Sequence, residues 1–180
     1  MQKPDRTVVV SPPDAKWPAD YDSERRKIES ALGTCLIRTH HIGSTSIAGI
    51  YAKPIIDLLA EVTTLCELDT HTREMQRLGY EVMGEYGIAG RRFFRKNNSK
   101  GIRSHHIHAF ATGSAELERH LAFRDFLRAH EKWAERYSDL KRQLARAHPS
   151  DIEAYMDGKD GFIKAVDRRA AVWKGGAGRP

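Results

Sequence analysis

The stretch His41-Ile42-Gly43-Ser44-Thr45-Ser46-Ile47-Ala48-Gly49-Ile50-Tyr51-Ala52-Lys53-Pro54-Ile55-Ile56-Asp57-Leu58-Leu59-Ala60-Glu61 divides into three parts. Small and hydroxyl residues, Gly43 to Ser46, come first. A short link follows and ends at Lys53-Pro54. An apolar run with one carboxylate near its start, Ile55 to Val62, closes it. These residue types point to phosphate binding. Gly43 lets the backbone approach a ligand closely. Ser44, Thr45 and Ser46 offer hydroxyl donors and can cap a helix that starts there. A helix N-terminus with free N–H groups favours an anion. Asp57, in a strand-like segment, can hold Mg2+ against that phosphate. The plainer reading is a turn with a helix cap, and an aspartate at a strand end.

Outward from this stretch, Cys35 to Ile42 reads as the first core strand and Ser46 to Tyr51 as a short helix or turn. Pro54 cannot donate a ladder hydrogen bond, so it suits the start of the second strand, Ile55 to Val62. The run of Ile, Leu, Ala and Val suits a strand covered on both faces. Asp57 is then a charge in an apolar setting, which calls for a metal, a Lys, an Arg or backbone donors beside it. Lys53, four residues earlier, can serve a phosphate or Asp57 itself.

Upstream, residues 1 to 16 form a polar, proline-rich lead-in, with Val8 to Val10 as a candidate edge strand and Trp17 expected to dock on the core. Asp20 to Leu32 reads as a helix capped by Asp20, Asp22 or Ser23 and stopped by Gly33. Glu24 on it reads as solvated. Downstream, Thr64 to Leu78 reads as one helix and Tyr80 to Met83 as a short strand. Arg91-Arg92-Phe93-Phe94-Arg95-Lys96 is a strand with four cations. It reads either as a basic face for phosphates, with Arg92 as best candidate, or as a half-exposed edge strand protected by charge. Ile102 to Phe110 returns as its hairpin partner. His106 and His108 share a face of that strand, and such a pair can bind a transition metal or a phosphate. Helices follow from an N-cap at Ser114, over Trp133 to Ala147, and from a capping box at Ser150-Asp151-Ile152-Glu153. Gly158 and Gly161 weaken the last one. Tyr155 and Lys159, one turn apart, can present a hydroxyl and an ammonium to the cleft; the plainer reading is a surface turn of a packed helix. Residues 174 to 180 read as a frayed tail.

His41-Ile42-Gly43-Ser44-Thr45-Ser46, followed by Ala52-Lys53-Pro54-Ile55-Ile56-Asp57, resembles the signature of the GrpB (UPF0157) family of the nucleotidyltransferase-fold superfamily. His106-Ile107-His108, Leu121 to Arg128, Tyr137, Leu140-Lys141, Tyr155, Lys159 and Phe162-Ile163 fall in the family's order. The match spans about residues 17 to 170. The resemblance implies an α/β (α+β) fold: a mixed sheet flanked by helices, with a helical C-terminal half, as a single domain over residues 17–173. It implies a nucleoside triphosphate or other phosphorylated ligand on Gly43, Ser44, Thr45, Ser46, Lys53 and Arg92. Mg2+ or Mn2+ would sit on Asp57 as catalytic carboxylate, with His108, and less so His106, where active relatives place a third carboxylate. Nucleotidyl transfer to an unidentified acceptor is the expected reaction.

One departure matters. A two-metal transferase needs a second carboxylate two residues on, about 6.6 Å along the same strand face; this chain has Leu59. Glu61 lies about 13 Å along, too far to replace it. Two alternatives therefore stand beside the transferase: a non-catalytic phosphate-binding module, and a transition-metal protein, with Zn2+ for example, using Asp57, His106 and His108.

Bulk composition sets the outer bounds. The chain has 180 residues, 40% hydrophobic and 30% charged, which suits one globular domain. It lacks a secretory leader pattern and an 18-residue apolar run, so no membrane span and a cytoplasmic location are expected. Cys35 and Cys66 have no metal or redox spacing and read as buried free thiols. The net charge of +6 favours anionic partners. Nucleic acid is one such partner, but without a recognised motif a local phosphate site is the preferred reading.

Overall fold

A computed structural model of the chain describes residues 7–176. Its sheet has five strands: β1 (Leu36–Ile42), β2 (Ile56–Val62), β3 (Tyr80–Val82), β4 (Arg92–Asn97) and β5 (Arg103–Ala111). Their spatial order is β1-β2-β5-β4-β3. Only β2 and β5 run parallel; the other neighbours are antiparallel. The sheet is therefore mixed, as expected. The helices are α1 (Trp17–Leu32), α2 (Leu65–Thr70), α3 (Thr72–Arg77), α4 (Ala115–Ala129), α5 (Glu131–Ala147) and α6 (Ile152–Gly176). None of the described helices is long and apolar enough to cross a membrane.

Strand alternation divides the sheet residues between two layers. Ile56, Leu58, Ala60 and Val62 of β2 join Ile107 and Ala109 of β5 in the main core, under Ile28 and Leu32 of α1 and Leu68 and Met75 of the next two helices. Trp17 docks there as expected. The opposite face of β2 carries Asp57, Leu59 and Glu61. A small cluster of Ile42, Leu59, Phe110 and Leu117 seals the middle of that face beneath α4. A third cluster builds the helical half: Ile47 and Ile50, from the loop before β2, insert among Phe126, Leu127, Tyr137 and Val166. That loop is thus pinned between the sheet and the helices.

Several local expectations are corrected. α1 starts three residues early, at Trp17, with Pro18 in its first turn and no side-chain cap; proline's fixed φ suits that place. Gly33 ends it at φ 52°. The segment 64–78 is two helices, not one. Thr64 caps the first, and around His71 the Thr70 and Thr72 hydroxyls donate to the carbonyls of Glu67 and Asp69, local bonds that compete with a continuous helix. Asp151, not Ser150, caps α6, accepting from Ala154 N at 3.0 Å. α6 runs through both glycines and on to Gly176, so residues 174–176 are helical; residues 177–180 lie outside the described set. In the lead-in, Val8 is buried and donates to Pro149 O at 2.8 Å, and Ser11 makes a single β-bridge to Ala52, so Val8 to Val10 form no strand. Residues 1–6 lie outside the described set. Glu24 is buried, not solvated, and accepts from Lys96 at 2.7 Å, Lys27 at 3.0 Å and the Tyr80 hydroxyl at 3.0 Å. Cys35 is buried, but Cys66 is exposed.

Candidate metal centre

β1 ends at Ile42, opposite Asp57 of β2, and hands the chain to Gly43. This glycine answers two demands. Its φ is +69°, a left-handed value that side chains resist. A Cβ there would also stand 2.4 Å from Asp57 Oδ2. The close approach that Gly43 permits is therefore to the Asp57 carboxylate itself.

The hydroxyls beyond it take separate roles. Ser44–Ser46 form a single 3-10 turn; the helix whose N-terminus was expected to face an anion is not built. Ser46 Oγ donates to Gly43 O at 2.7 Å. Thr45 is buried; it donates to Ile55 O at 3.3 Å and meets His41 Nε2 at 3.0 Å. A hydroxyl has one proton, so His41 Nε2–H is the donor in that second bond. Both hydroxyls thus tie the loop down. Ser44 lies near the Tyr137 hydroxyl on α5.

Asp57 lies beside His106 across the parallel β2–β5 pair, with Leu59 beside His108. Side chains on one sheet face follow this register. His106 Nδ1 stands 3.1 Å and His108 Nε2 3.8 Å from Asp57 Oδ1. One donor atom from each of the three residues lies within 4.8 Å of the others. Burial pushes the Asp57 carboxyl up, but the two imidazoles outweigh it and hold it well below the usual carboxylate range. The Asp57, His106 and His108 side chains keep 26%, 25% and 17% of their surface, so an ion can reach them.

Two imidazole nitrogens and one carboxylate suit a borderline divalent metal such as Zn2+, Mn2+, Co2+ or Ni2+. They do not suit a pair of Mg2+ ions, which take oxygen ligands. Leu59, at the second-carboxylate position, is fully buried in its apolar cluster. Glu61 is turned away, accepting from Thr112 Oγ1 at 2.6 Å and facing His40 at 3.9 Å. The residues fit one nitrogen-liganded ion.

The basic strand contributes differently from its expectation. Arg92 stands opposite Ala109, and Phe93 opposite His108, so Arg92 lies on the face away from Asp57. It makes a bidentate pair with Asp69, both contacts at 2.7 Å. β4 is an interior strand, not an edge, and Arg95 and Lys96 pair with Glu81 and Glu24. The arginine at the centre is Arg91. It is buried, donates to Glu85 O at 3.1 Å and Tyr86 O at 2.7 Å, and points Nη1 at His108 Nδ1, 3.3 Å away. Strand parity, once tied to the His106/His108 face, is the signal that separates Arg91 from Arg92.

The loop before β2 and the helical wall add three lysines. Lys53 has its ammonium 5.6 Å from the Tyr155 ring centre, and Lys159 sits 4.5 Å over the same ring. Lys141 lies 4.5 Å over Tyr137 and donates to Tyr51 O. Tyr155 and Lys159, expected on a surface turn, are buried. Burial, with Lys159 nearby, pushes the Lys141 ammonium down to about 7. Burial and Lys53 push Lys159 down to about 8, with Asp57 pulling the other way.

The sequence profile described as GrpB protein matches residues 7–169. The chain belongs to the GrpB family. It is 44% identical to the UPF0157 protein YqkA of Bacillus subtilis over 96% of its own length, and spans 50% of that relative. The crystal structure of conserved protein GrpB from Enterococcus faecalis matches with a TM-score of 0.85 at 40% identity, over 90% of this chain and 96% of that one. The terminal uridylyl transferase 4 of Trypanosoma brucei, solved with bound GTP, matches with a TM-score of 0.50 at 15% identity, over 81% of this chain and 47% of that one. This last likeness is one of fold: the GrpB domain is nucleotidyltransferase-like. The match begins ten residues before the expected boundary, at the segment that Val8 and Ser11 fasten to the domain.

Proposed function

We propose that this GrpB protein binds a nucleoside triphosphate, or a related phosphorylated small molecule, beside one divalent ion held by Asp57, His106 and His108. The observation that carries this reading is the convergence of three metal donors within 4.8 Å, directly against the Gly43–Ser44 turn. A bound ion would draw phosphate oxygens to the mouth and offset their charge. The Ser44 hydroxyl and the turn backbone contact the phosphate. Lys53, at the end of the pinned loop, neutralises it. Thr45 and Ser46 hold the turn, and Arg91 orients the His108 ring. Arg92 has no part in it.

Nucleotidyl transfer to an acceptor is the reaction class of the fold. A second reading, binding without transfer, is favoured by buried Leu59, since the second carboxylate of a two-ion route is replaced by core packing.

The test is metal and nucleotide titration of chelator-treated protein. Equilibrium dialysis with Zn2+ and Mn2+ should give one ion per chain, and Asp57→Asn or His106→Ala should weaken it by more than about tenfold. ATP, GTP, CTP and UTP should raise the melting temperature only with metal present, by mass action on the folded state. A well-folded protein that takes up no stoichiometric metal sinks the metal reading. Product formation from labelled nucleotide separates transfer from binding alone.

A further inference from the structure

We propose that Lys141 of α5 and Lys159 of α6, both buried without an acid beside them, form a subsite for the polyphosphate chain of the ligand, one that holds the anion without help from the metal. The inference rests on the phosphorylated-ligand reading above but not on the ion.

Lys141 is 2% exposed and Lys159 8%. Lysines are seldom buried without an acid, because removing an ammonium from water is costly. Half-buried cations of this protein meet acids: Lys96 meets Glu24 at 2.7 Å, and Arg119 meets Glu116 at 2.9 Å and Asp167 at 3.2 Å. Buried Arg91 has two carbonyls and an imidazole instead. Lys141 and Lys159 have less. Lys141 has a carbonyl, that of Tyr51, and the face of Tyr137. Lys159 has the face of Tyr155 and donates no hydrogen bond among the described residues. Neither forms an ion pair with a described carboxylate, and each lies within the field of another lysine. The carboxylate acting on Lys159 is Asp57, already engaged by two imidazoles.

The arrangement is built by packing. Gly158, next to Lys159, lets α6 press on α5; a Cβ there would stand 2.4 Å from Leu144 Cδ2. Tyr137, under the Lys141 ammonium, is also the neighbour of Ser44 beside the metal donors, and Asp57 acts on Lys159, so the lysines lie on the side of the helical half that meets the site. The groups offered are ammonium donors and ring faces. A neutral sugar brings no charge to match them, and a single carboxylate leaves one cation bare. A di- or triphosphate chain supplies several charges and many acceptor oxygens at once. Its source is either inorganic or the tail of a nucleotide.

Calorimetric titration of the whole chain in chelator tests this, with orthophosphate, pyrophosphate, tripolyphosphate, ATP and adenosine as probes. Pyrophosphate and tripolyphosphate should bind more than about tenfold tighter than orthophosphate. Lys159→Met and Lys141→Met should each weaken them by about tenfold or more, while the unliganded variants melt at or above the wild-type temperature, since an apolar isostere removes a buried unpaired charge. Lys159→Gln repeats the test should a methionine variant fold poorly. Arg168→Gln, on the exposed surface, controls for net charge and should bind as wild type. ATP tighter than tripolyphosphate names a nucleotide as source; the reverse names an inorganic chain. Unchanged affinity in the lysine variants, or no polyphosphate binding in chelator, overturns the subsite even where metal uptake succeeds. Lysine-dependent binding in a protein that takes up no metal leaves the subsite standing and removes the ion.

Discussion

Gly43 and Glu24 show how single residues hold this structure to its site. Gly43→Ala adds left-handed strain of about 1–3 kcal/mol and pushes a methyl toward Asp57 Oδ2. The variant is expected to melt several degrees lower and to bind Zn2+ more weakly, both read in one thermal series with and without the ion. Wild-type melting and zinc affinity would contradict the contact. Glu24 lies on the other side of the sheet and sets acid stability. Burial raises its carboxyl, but Lys96 and Lys27 outweigh burial and lower it from 4.5 to about 2. A depressed carboxyl stabilises the fold above its unfolded value, and that contribution, about 3 kcal/mol, is lost as pH falls from near 4.5 toward 2. Glu24→Gln should therefore cost about 3 kcal/mol at pH 7 and flatten the acid limb of stability between pH 4.5 and 2. Urea unfolding at stepped pH reads both effects; an unchanged acid limb would remove Glu24 from the account.

At the scale of elements, helix approach matters more than helix propensity. Alanine is favoured over glycine inside a helix by about 1 kcal/mol, so Gly158→Ala is stabilising by local rules. Contact with Leu144 opposes it, because overpacking costs about 1–3 kcal/mol. The expected net effect is destabilisation of about 1 kcal/mol, relieved when Leu144→Ala is made in the same chain. A double-mutant cycle in urea measures the coupling; strict additivity would mean that the helices do not meet at this point. The α4 cap is the local counterpart. Ser114 accepts from Leu117 N at 3.1 Å, and Ser114→Ala should cost about 1 kcal/mol with ligand binding unchanged. Ser114 was legible because a cap is a property of four adjacent residues. Gly158 read only as a weak point, because its partner Leu144 lies on another helix.

For the whole molecule, the loop before β2 and the lead-in join the sheet to the helical half. Ile47 and Ile50 sit in the helical cluster, while residues 8–11 bond both to Pro149, before α6, and to Ala52, before β2. The site draws on both halves: donors from the sheet, lysines from the helices. Removing residues 1–11 should therefore lower stability by about 2 kcal/mol or more, from the burial of Val8 and the lost backbone bonds, and loosen metal and polyphosphate binding together. Unfolding by urea and titration of the truncated chain read these side by side. Loss of stability with intact binding would place the lead-in outside the site's support.

The sequence by itself determined the strands, their apolar content and the demand of Asp57 for partners. Apolar runs, alternation and breakers act between near neighbours, and a charge in an apolar run needs compensation wherever it lies. It also put His106 and His108 on one face, a consequence of strand geometry. The tertiary structure decided which partners met. Register across β5 and β4 turned Arg91 toward the imidazoles and Arg92 toward Asp69. The packing of α1 on the sheet buried Glu24 between lysines. The approach of α6 to α5 at Gly158 put two ammonium groups together without an acid. Each of these depends on contacts between segments far apart in the chain, where the pairing of elements, and not the local pattern, fixes what a side chain faces.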